Sequence, residues 1–125
     1  MKHVISTDAA PAAVGAYSQA TMTDDLVYTA GQLPMTADGE LLTDRTVAEQ
    51  TTQCLRNIEA ILSAADLPMT AVMKTTVFLA DIQTFDEFNA AYGAFFEEEP
   101  PARSAVEVGA VPKGAAVEIE AVAAR

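Results

Sequence analysis

The chain has 125 residues, the length of one ordinary domain, with 18 acidic and 7 basic side chains and a formal net charge of −11. This charge argues against nucleic acid and anionic membrane surfaces as partners, because both are bound through clustered Lys and Arg. The single cysteine, Cys54, excludes an intrachain disulfide and a zinc site built from cysteines.

The excess of acidic side chains is also typical of a halophilic protein, because dissolved ions in high salt screen the repulsion between like charges. No repeat, low-complexity tract or linker divides the chain, so residues 1–125 are predicted to form one domain. The first ten residues do not resemble a secretory signal, and no apolar run approaches the length of a membrane span. We therefore expect a soluble cytoplasmic protein.

Three short strands are predicted before the first helix, at residues 3–6, 18–21 and 26–30. The loop between the first two contains Pro11 and Gly15 and ends near Tyr17, an amphipathic phenol. The third strand ends at Ala30 and Gly31, and a glycine there allows the backbone to approach a ligand closely. Each feature alone is weak, since loops with glycine are usually only turns.

The first predicted helix covers residues 46–65. It begins with a capping-box pattern, Thr46 followed by Glu49. Apolar residues then recur at spacings of three and four, which places them on one stripe. Asp66 follows at the position where a glycine C-cap is commonest, and Pro68 ends any continuation.

A second helix repeats this design. Thr84 and Glu87 form another capping-box pattern, and Phe85 begins an aromatic face that continues to Phe96. This helix is predicted to end near residues 97–99, before Pro100.

The remaining strands are predicted at residues 73–79, 102–108 and 116–123. The last two flank a turn region containing Pro112 and Gly114, so they are predicted to form a hairpin. The resulting order is β-β-β-α-β-α-β-β, an α+β fold with both helices on one face of a single mixed sheet. The opposite face then needs a cover, and oligomerisation is the obvious means.

Alternation along the last two strands predicts which side chains share a face. Val106 on one strand and Ile119 on the other are expected to point toward the helices. Arg103 then faces away from the helices, together with Glu118 and Glu120. From this pattern alone, an exposed cross-strand ion pair of little energetic value is the simplest interpretation. The register of the strands does not decide which glutamate faces the arginine.

Most catalytic constellations are absent from the sequence. The only histidine, His3, lies in the first strand and is interpreted as a solvated surface residue. Cys54 falls on the apolar stripe of the first helix, where a small core residue is expected. There is no phosphate-binding glycine motif, and no spacing of carboxylates indicates a metal site.

Six segments together resemble the RidA/YjgF family, in its order and spacing over nearly the whole chain. They are PAAVGAYSQA (11–20), YTAGQLP (28–34), KTTVFLADI (74–82), F..FNAAY.AFF (85–96), PARSAVEV (101–108) and VEIEAVA (117–123). The resemblance implies a chorismate-mutase-like two-layer fold and a homotrimer with active sites between subunits. It also implies a deaminase that hydrolyses reactive enamine and imine acids, such as 2-aminoacrylate, to 2-oxo acids and ammonia.

The resemblance further implies roles for single residues. Arg103 would hold the substrate carboxylate as a fork, and Glu118 would position or activate the attacking water. Tyr17 would close the pocket from the neighbouring chain, and the backbone around Ala30 and Gly31 would donate hydrogen bonds to the substrate. No cofactor and no metal are expected.

The sequence departs from the family at two site positions: Ala105 replaces a frequent cysteine, and Ala30 replaces a frequent serine. Substrate preference therefore stays open. Three other functions stay open: a non-catalytic binder or sensor of small 2-oxo acids, a ribonuclease or translation inhibitor, and a chorismate mutase. The acidic charge disfavours a ribonuclease or translation inhibitor. A chorismate mutase is disfavoured because one well-placed arginine is too little to bind a dicarboxylate.

Overall fold

The computed structural model describes residues 1–125 and contains two α-helices and one six-stranded sheet. Helix α1 spans Val47–Ser63 and helix α2 spans Phe85–Gly93. The strands are β1 His3–Ile5, β2 Ala20–Met22, β3 Leu26–Thr29, β4 Val72–Leu79, β5 Ala102–Glu107 and β6 Val117–Ala124. The order of helices and strands along the chain confirms the predicted β-β-β-α-β-α-β-β arrangement.

The strands lie side by side in the order β1-β2-β3-β6-β4-β5, and only the β4–β5 pair is parallel. The predicted hairpin of β5 and β6 is therefore wrong, because β4 lies between them. The chain between Glu107 and Val117 crosses the end of β4 instead of turning back tightly. The burial of the two strands explains their places. Val117 and Ile119 of β6 are fully buried, as a central strand requires, whereas β5 is half-buried or exposed.

Both helices lie on one face of the sheet, as predicted, and enclose the core with it. The fully buried residues of α1 include Cys54, Leu55, Ile58, Ile61 and Leu62, and they belong to one apolar cluster with side chains of β3, β4 and β6. Burial of this stripe, rather than intrinsic helix propensity, is the main source of stability for a helix of this length.

The ends of α1 show how the chain is turned. The Thr46 hydroxyl accepts a hydrogen bond from the Glu49 backbone N–H at 3.1 Å, which confirms the predicted N-cap. At the other end Asp66 has a φ of 60°, the left-handed conformation that glycine adopts at least cost. The Leu67 N–H then donates to the Leu62 carbonyl at 2.9 Å and closes the helix.

The second predicted capping box is wrong. The Thr84 hydroxyl donates to the Asp81 carbonyl instead of accepting a bond from the helix. The Glu87 carboxylate accepts a hydrogen bond from the Ala48 N–H at 2.9 Å, and so caps the first turn of α1 from outside. Helix α2 also ends at Gly93, earlier than predicted, because glycine is a poor helix former and the following residues form turns.

The face of the sheet opposite the helices is uncovered. It presents Val4, Tyr28 and Val106, which are 60%, 48% and 45% exposed. Glu118 and Glu120 of β6 lie on this same face, since their neighbours in sequence form the core. The helices of the structure include none with the length and apolar content needed to cross a bilayer.

Candidate active site

Arg103 lies on the face of the sheet that carries the helices. The parallel register pairs it with Thr75, whose buried side chain is hydrogen-bonded to α2. Paired residues of neighbouring strands point to the same face, so Arg103 also faces α2. The prediction that it shares a face with Glu118 and Glu120 is therefore wrong. It failed because β5 is an edge strand whose Val106 points to the uncovered face, so that apolar residues there do not mark the core.

The guanidinium of Arg103 rests on an aromatic surface of α2. Its central carbon is 4.8 Å from the ring centre of Tyr92, 5.3 Å from that of Phe85 and 5.6 Å from that of Phe88. Its Nη1 donates a 2.8 Å hydrogen bond to Oδ1 of Asn89. These four residues lie on successive turns of one helix face, and cation–π attraction together with the charge-assisted bond fixes the arginine there.

A surface cavity of about 350 Å³ opens beside this guanidinium. The ion pairs of the chain join Arg45 to Asp44 and Glu49, and Arg103 has no carboxylate partner. Arg103 is thus a cation that aromatic rings and an amide hold in position, without a carboxylate counterion, in a strongly acidic chain. The cavity is lined by Asn89, Tyr92, Gly93, Phe96, Pro100, Pro101 and Arg103.

Glu118 lies against Gly31 on the uncovered face. A Cβ built on Gly31 would come within 2.6 Å of the Glu118 carboxylate oxygen, so glycine is the residue that leaves this side chain in place. The approach is fixed by two backbone hydrogen bonds between Gln32 and Ile119, of 2.7 and 3.1 Å. Gly31 itself makes no hydrogen bond within the chain, which leaves its N–H free.

The pKa of Glu118 is raised above its ordinary value. Partial burial is the larger cause, and the negative charge of Glu120 on the same face adds to it. Glu120 itself is exposed. The structure therefore brings Glu118 and Gly31 together but leaves Arg103 on the other face of the sheet.

Tyr17 is 55% exposed, in the loop before β2. Its hydroxyl accepts a 3.3 Å hydrogen bond from the Val14 N–H. With Gly31 and Lys113 it lines a second cavity of about 220 Å³. Ala30 precedes Gly31 in the chain, and its N–H donates to the Gln19 carbonyl at 2.8 Å. Gly31 thus lies against Glu118 and lines a cavity with Tyr17, whereas Arg103 is on the other face of the sheet.

The two residues interpreted as non-functional are placed accordingly. His3 is exposed on the edge strand β1. Cys54 is fully buried, and its thiol, whose pKa burial raises well above the ordinary value, lies 3.7 Å from the Val117 carbonyl. A thiol in these surroundings is inert.

Known proteins share this sequence and fold. Residues 7–125 match the family described as Endoribonuclease L-PSP. The chain belongs to this family. The 2-iminobutanoate/2-iminopropanoate deaminase of Rattus norvegicus is 47% identical over 123 residues, which cover 98% of this chain and 90% of the rat protein.

Solved structures of the family agree with the fold. The E. coli YjgF gene product is 43% identical with a TM-score of 0.92, and 98% of each chain is covered. E. coli TdcF, crystallised with bound serine, is 38% identical with a TM-score of 0.92 and the same coverage. The resemblance to the RidA/YjgF family and the α+β class are thereby confirmed.

Within this family fold, three buried amides that the sequence did not single out hold the loops around the site. Gln19 bonds to the backbone of residues 7, 10 and 11 and so fixes the loop that carries Tyr17. Asn57 donates to two carbonyls of the segment after Gly31, and Gln50 accepts from the Ala116 N–H just before β6. A buried amide has no sequence signature of its own, although Gln50 and Asn57 do fall on the inward stripe of α1.

Asn89 was also missed. It lies on the helix face of Phe85, Phe88 and Tyr92, but a polar and exposed residue at the edge of an aromatic face usually indicates a solvated position. Only the place of β5 beside α2 brings it to Arg103. No periodicity within either segment contains that information.

Proposed function

We propose that this chain hydrolyses small enamine and imine acids of the 2-aminoacrylate and 2-iminopropionate type to 2-oxo acids and ammonia. The observation that carries the proposal is Arg103, a guanidinium held by aromatic rings and an amide beside a cavity, with no carboxylate partner of its own. The named activity of the relatives at 46–47% identity supports the same reaction.

Arg103 binds the substrate carboxylate in this proposal. A guanidinium presents parallel N–H groups that match the two oxygens of a carboxylate. Asn89 takes one Nη1 bond, and the remaining N–H groups are left for a ligand. A hydrogen bond of this charged type contributes about 1.5–3 kcal/mol, or roughly ten- to a hundred-fold in affinity. Serine, the ligand named with TdcF, carries such a carboxylate and is of the same small size.

Glu118 acts as the general base and acid that accepts the proton of the attacking water and passes it on. An enamine acid first takes a proton on carbon to become the imine, whose protonated form has an electrophilic carbon. Water adds to that carbon while Glu118 accepts its proton. The proton then passes to the nitrogen of the resulting carbinolamine. The Glu118 carboxylate takes the remaining hydroxyl proton as the C–N bond breaks, so that ammonia leaves and the C=O bond of the 2-oxo acid forms. A carboxyl whose pKa is raised by burial exchanges protons more readily near neutral pH. Its contact with Gly31 and its partial burial favour Glu118 over the exposed Glu120.

The complete site takes residues from two chains. Since Arg103 and Glu118 lie on opposite faces of one sheet, a single chain does not present both to one ligand. We propose a homotrimer in which Arg103 of one protomer meets Glu118, Tyr17 and the Ala30–Gly31 backbone of its neighbour. The free N–H of Gly31 then serves as a donor to the substrate, and association covers the exposed face of the sheet.

The activity is tested by following ammonia release from freshly generated 2-aminoacrylate. Arg103→Ala should lower kcat/KM by about tenfold or more, because the carboxylate loses its charged partner. Arg56→Ala is the matched control, since it removes an exposed arginine of α1 and should leave the rate unchanged. An Arg103→Ala chain as active as the unmodified one would refute the assignment.

The two-chain site is tested by mixing two variants of low activity. Arg103→Ala and Glu118→Gln chains are unfolded, combined in equal amounts and refolded together. If each site takes one residue from each of two protomers, about a quarter of the sites regain both, and activity returns to about a quarter. Sites formed within one chain would regain no activity. The size of the assembly is read in parallel by light scattering.

The main alternative is a non-catalytic binder of small 2-oxo acids, which uses the same Arg103. It predicts binding of pyruvate without any acceleration of ammonia release over the spontaneous rate. A ribonuclease is disfavoured by the net charge of −11, and salt-sensitive binding of RNA would be needed to revive it.

A further inference from the structure

Arg103 is joined to strand β4 by a closed ring of contacts. Thr75 is its register partner across the parallel strands. The Thr75 hydroxyl lies 2.6 Å from the hydroxyl of Tyr92, and the Tyr92 ring is the aromatic face nearest to the Arg103 guanidinium, at 4.8 Å. The sheet fixes the backbone positions of Thr75 and Arg103, and Tyr92 connects the Thr75 hydroxyl to the Arg103 guanidinium. The arginine is therefore held by the sheet at its backbone and by Tyr92 at its guanidinium.

The ring of Tyr92 has little freedom to turn. It is 4% exposed and lies between Phe88, with ring centres 5.4 Å apart, and Phe96, with ring centres 4.8 Å apart. The hydroxyl bond to Thr75 fixes the far end of the same side chain. Burial also raises the pKa of Tyr92, so the phenol stays neutral and presents an uncharged π face to the arginine.

We propose that Tyr92 is a positioning residue, which acts on the substrate carboxylate through Arg103 by holding the guanidinium in place, although a small part of its ring also lines the cavity. The proposal rests on the carboxylate-binding role of Arg103. An arginine on an edge strand has many rotamers, and ordering it on binding weakens affinity. A ring that orders it beforehand removes this cost, and the cation–π contact corresponds to about two- to thirty-fold in affinity.

The test compares three variants. Tyr92→Leu removes the ring and the hydroxyl, whereas Tyr92→Phe keeps the ring and removes only the hydroxyl. Phe95→Leu is the matched control, because this ring packs against the core from the same segment but neither contacts Arg103 nor lines its cavity. For each we measure kcat and KM for the deaminase reaction, the dissociation constant of 2-oxobutanoate, and the melting temperature. All assays are run well below the lowest melting temperature.

Positioning predicts that Tyr92→Leu raises KM and the 2-oxobutanoate dissociation constant by about three- to thirty-fold, with a smaller change in kcat. Tyr92→Phe should recover most of that affinity, and Phe95→Leu should leave both constants near their original values. The proposal is overturned if Tyr92→Leu binds normally, if Tyr92→Phe binds as poorly as Tyr92→Leu, or if Phe95→Leu weakens binding equally.

The same data separate this inference from the proposed reaction. A chain that binds 2-oxobutanoate but releases no ammonia would refute the deaminase activity, and the three dissociation constants would still decide the role of Tyr92. A chain that does not bind 2-oxobutanoate at all would overturn the carboxylate-binding role of Arg103 and with it the role of Tyr92, whereas ammonia release would still decide the reaction.

Discussion

Replacing Gly31 by alanine should separate the position of Glu118 from the stability of the fold. The added Cβ would lie 2.6 Å from the Glu118 carboxylate oxygen and 2.9 Å from its carboxyl carbon, so one of them must move. The oxygen is the end of a flexible side chain, whereas Gly31 is held by the adjacent Gln32–Ile119 bridge. We therefore expect the carboxylate to swing aside by about 1 Å, at a rotamer cost of roughly 0.5–1.5 kcal/mol.

The activity should fall much further than the stability. A catalytic group displaced by about 1 Å can lower the rate on the order of a hundred-fold. We expect kcat for ammonia release to fall by roughly ten- to a hundred-fold while KM changes little, since Arg103 is untouched. Gly109→Ala is the control, because nothing lies within 4 Å of the added Cβ there and the glycine does not have a positive φ.

A double-mutant cycle tests the cause. In a Glu118→Gln background the rate is already low, so Gly31→Ala should add little further loss. If Gly31→Ala lowers kcat equally in both backgrounds, the displaced carboxylate is not the reason. If KM rises instead of kcat falling, the methyl group blocks the substrate directly. If the single variant keeps its full rate, the reasoning about Glu118 is refuted.

Three further outcomes follow from the charges and the backbone. Within one chain, burial and Glu120 raise the pKa of Glu118 above the ordinary 4.5, so Glu118 binds its proton more tightly in the folded chain than in the unfolded one. The stability of the chain therefore falls as pH rises from about 4.5 through this raised pKa. Glu118→Gln should therefore melt higher than the original chain at pH 7 and lose this advantage below about pH 4, and a constant difference in melting temperature would contradict it. Asp66→Gly should stabilise the chain by about 1 kcal/mol in urea unfolding, since Asp66 holds a φ of 60° at a helix C-terminus where its charge is also unfavourable, and a loss of stability would show that its side chain is needed. Adding KCl should raise the melting temperature by screening the net charge of −11, and maximal stability at low salt would exclude adaptation to high salt.

The helices and the order of elements were predictable because they depend on local patterns. The stripe of α1 and the Thr46 cap need only residues near one another in the chain. The prediction of a second capping box failed because it depends on a contact between distant segments. Its Glu87 has a partner in Ala48 of another helix, and no local pattern contains that contact. Contacts between distant segments were thus the point at which sequence patterns stopped being sufficient.

The predicted pairing of β5 with β6 was wrong for the same reason, because the contact of β4 with both strands joins distant segments. This error also misplaced Arg103. Two strands that follow each other in the chain and are joined by a turn region usually form a hairpin, and the burial that marks β6 as a central strand is seen only in the structure. The wrong neighbour led to the wrong face for Arg103. Val106 made this error convincing, because its apolar side chain points to a surface that stays exposed in a single chain.

The corrected face also changes what the arginine can do. On the uncovered side it would lie among carboxylates of β6 and be neutralised by them, as the simple ion-pair interpretation requires. On the helix side, the neighbours that contact its guanidinium are rings and one amide oxygen, which orient the cation but do not cancel its charge. Within one chain of 18 acidic side chains, the aromatic face of α2 therefore leaves Arg103 without a carboxylate partner. In the proposed homotrimer the carboxylate that comes near it is Glu118 of the neighbour, whose role is to act on the water at the other end of the substrate.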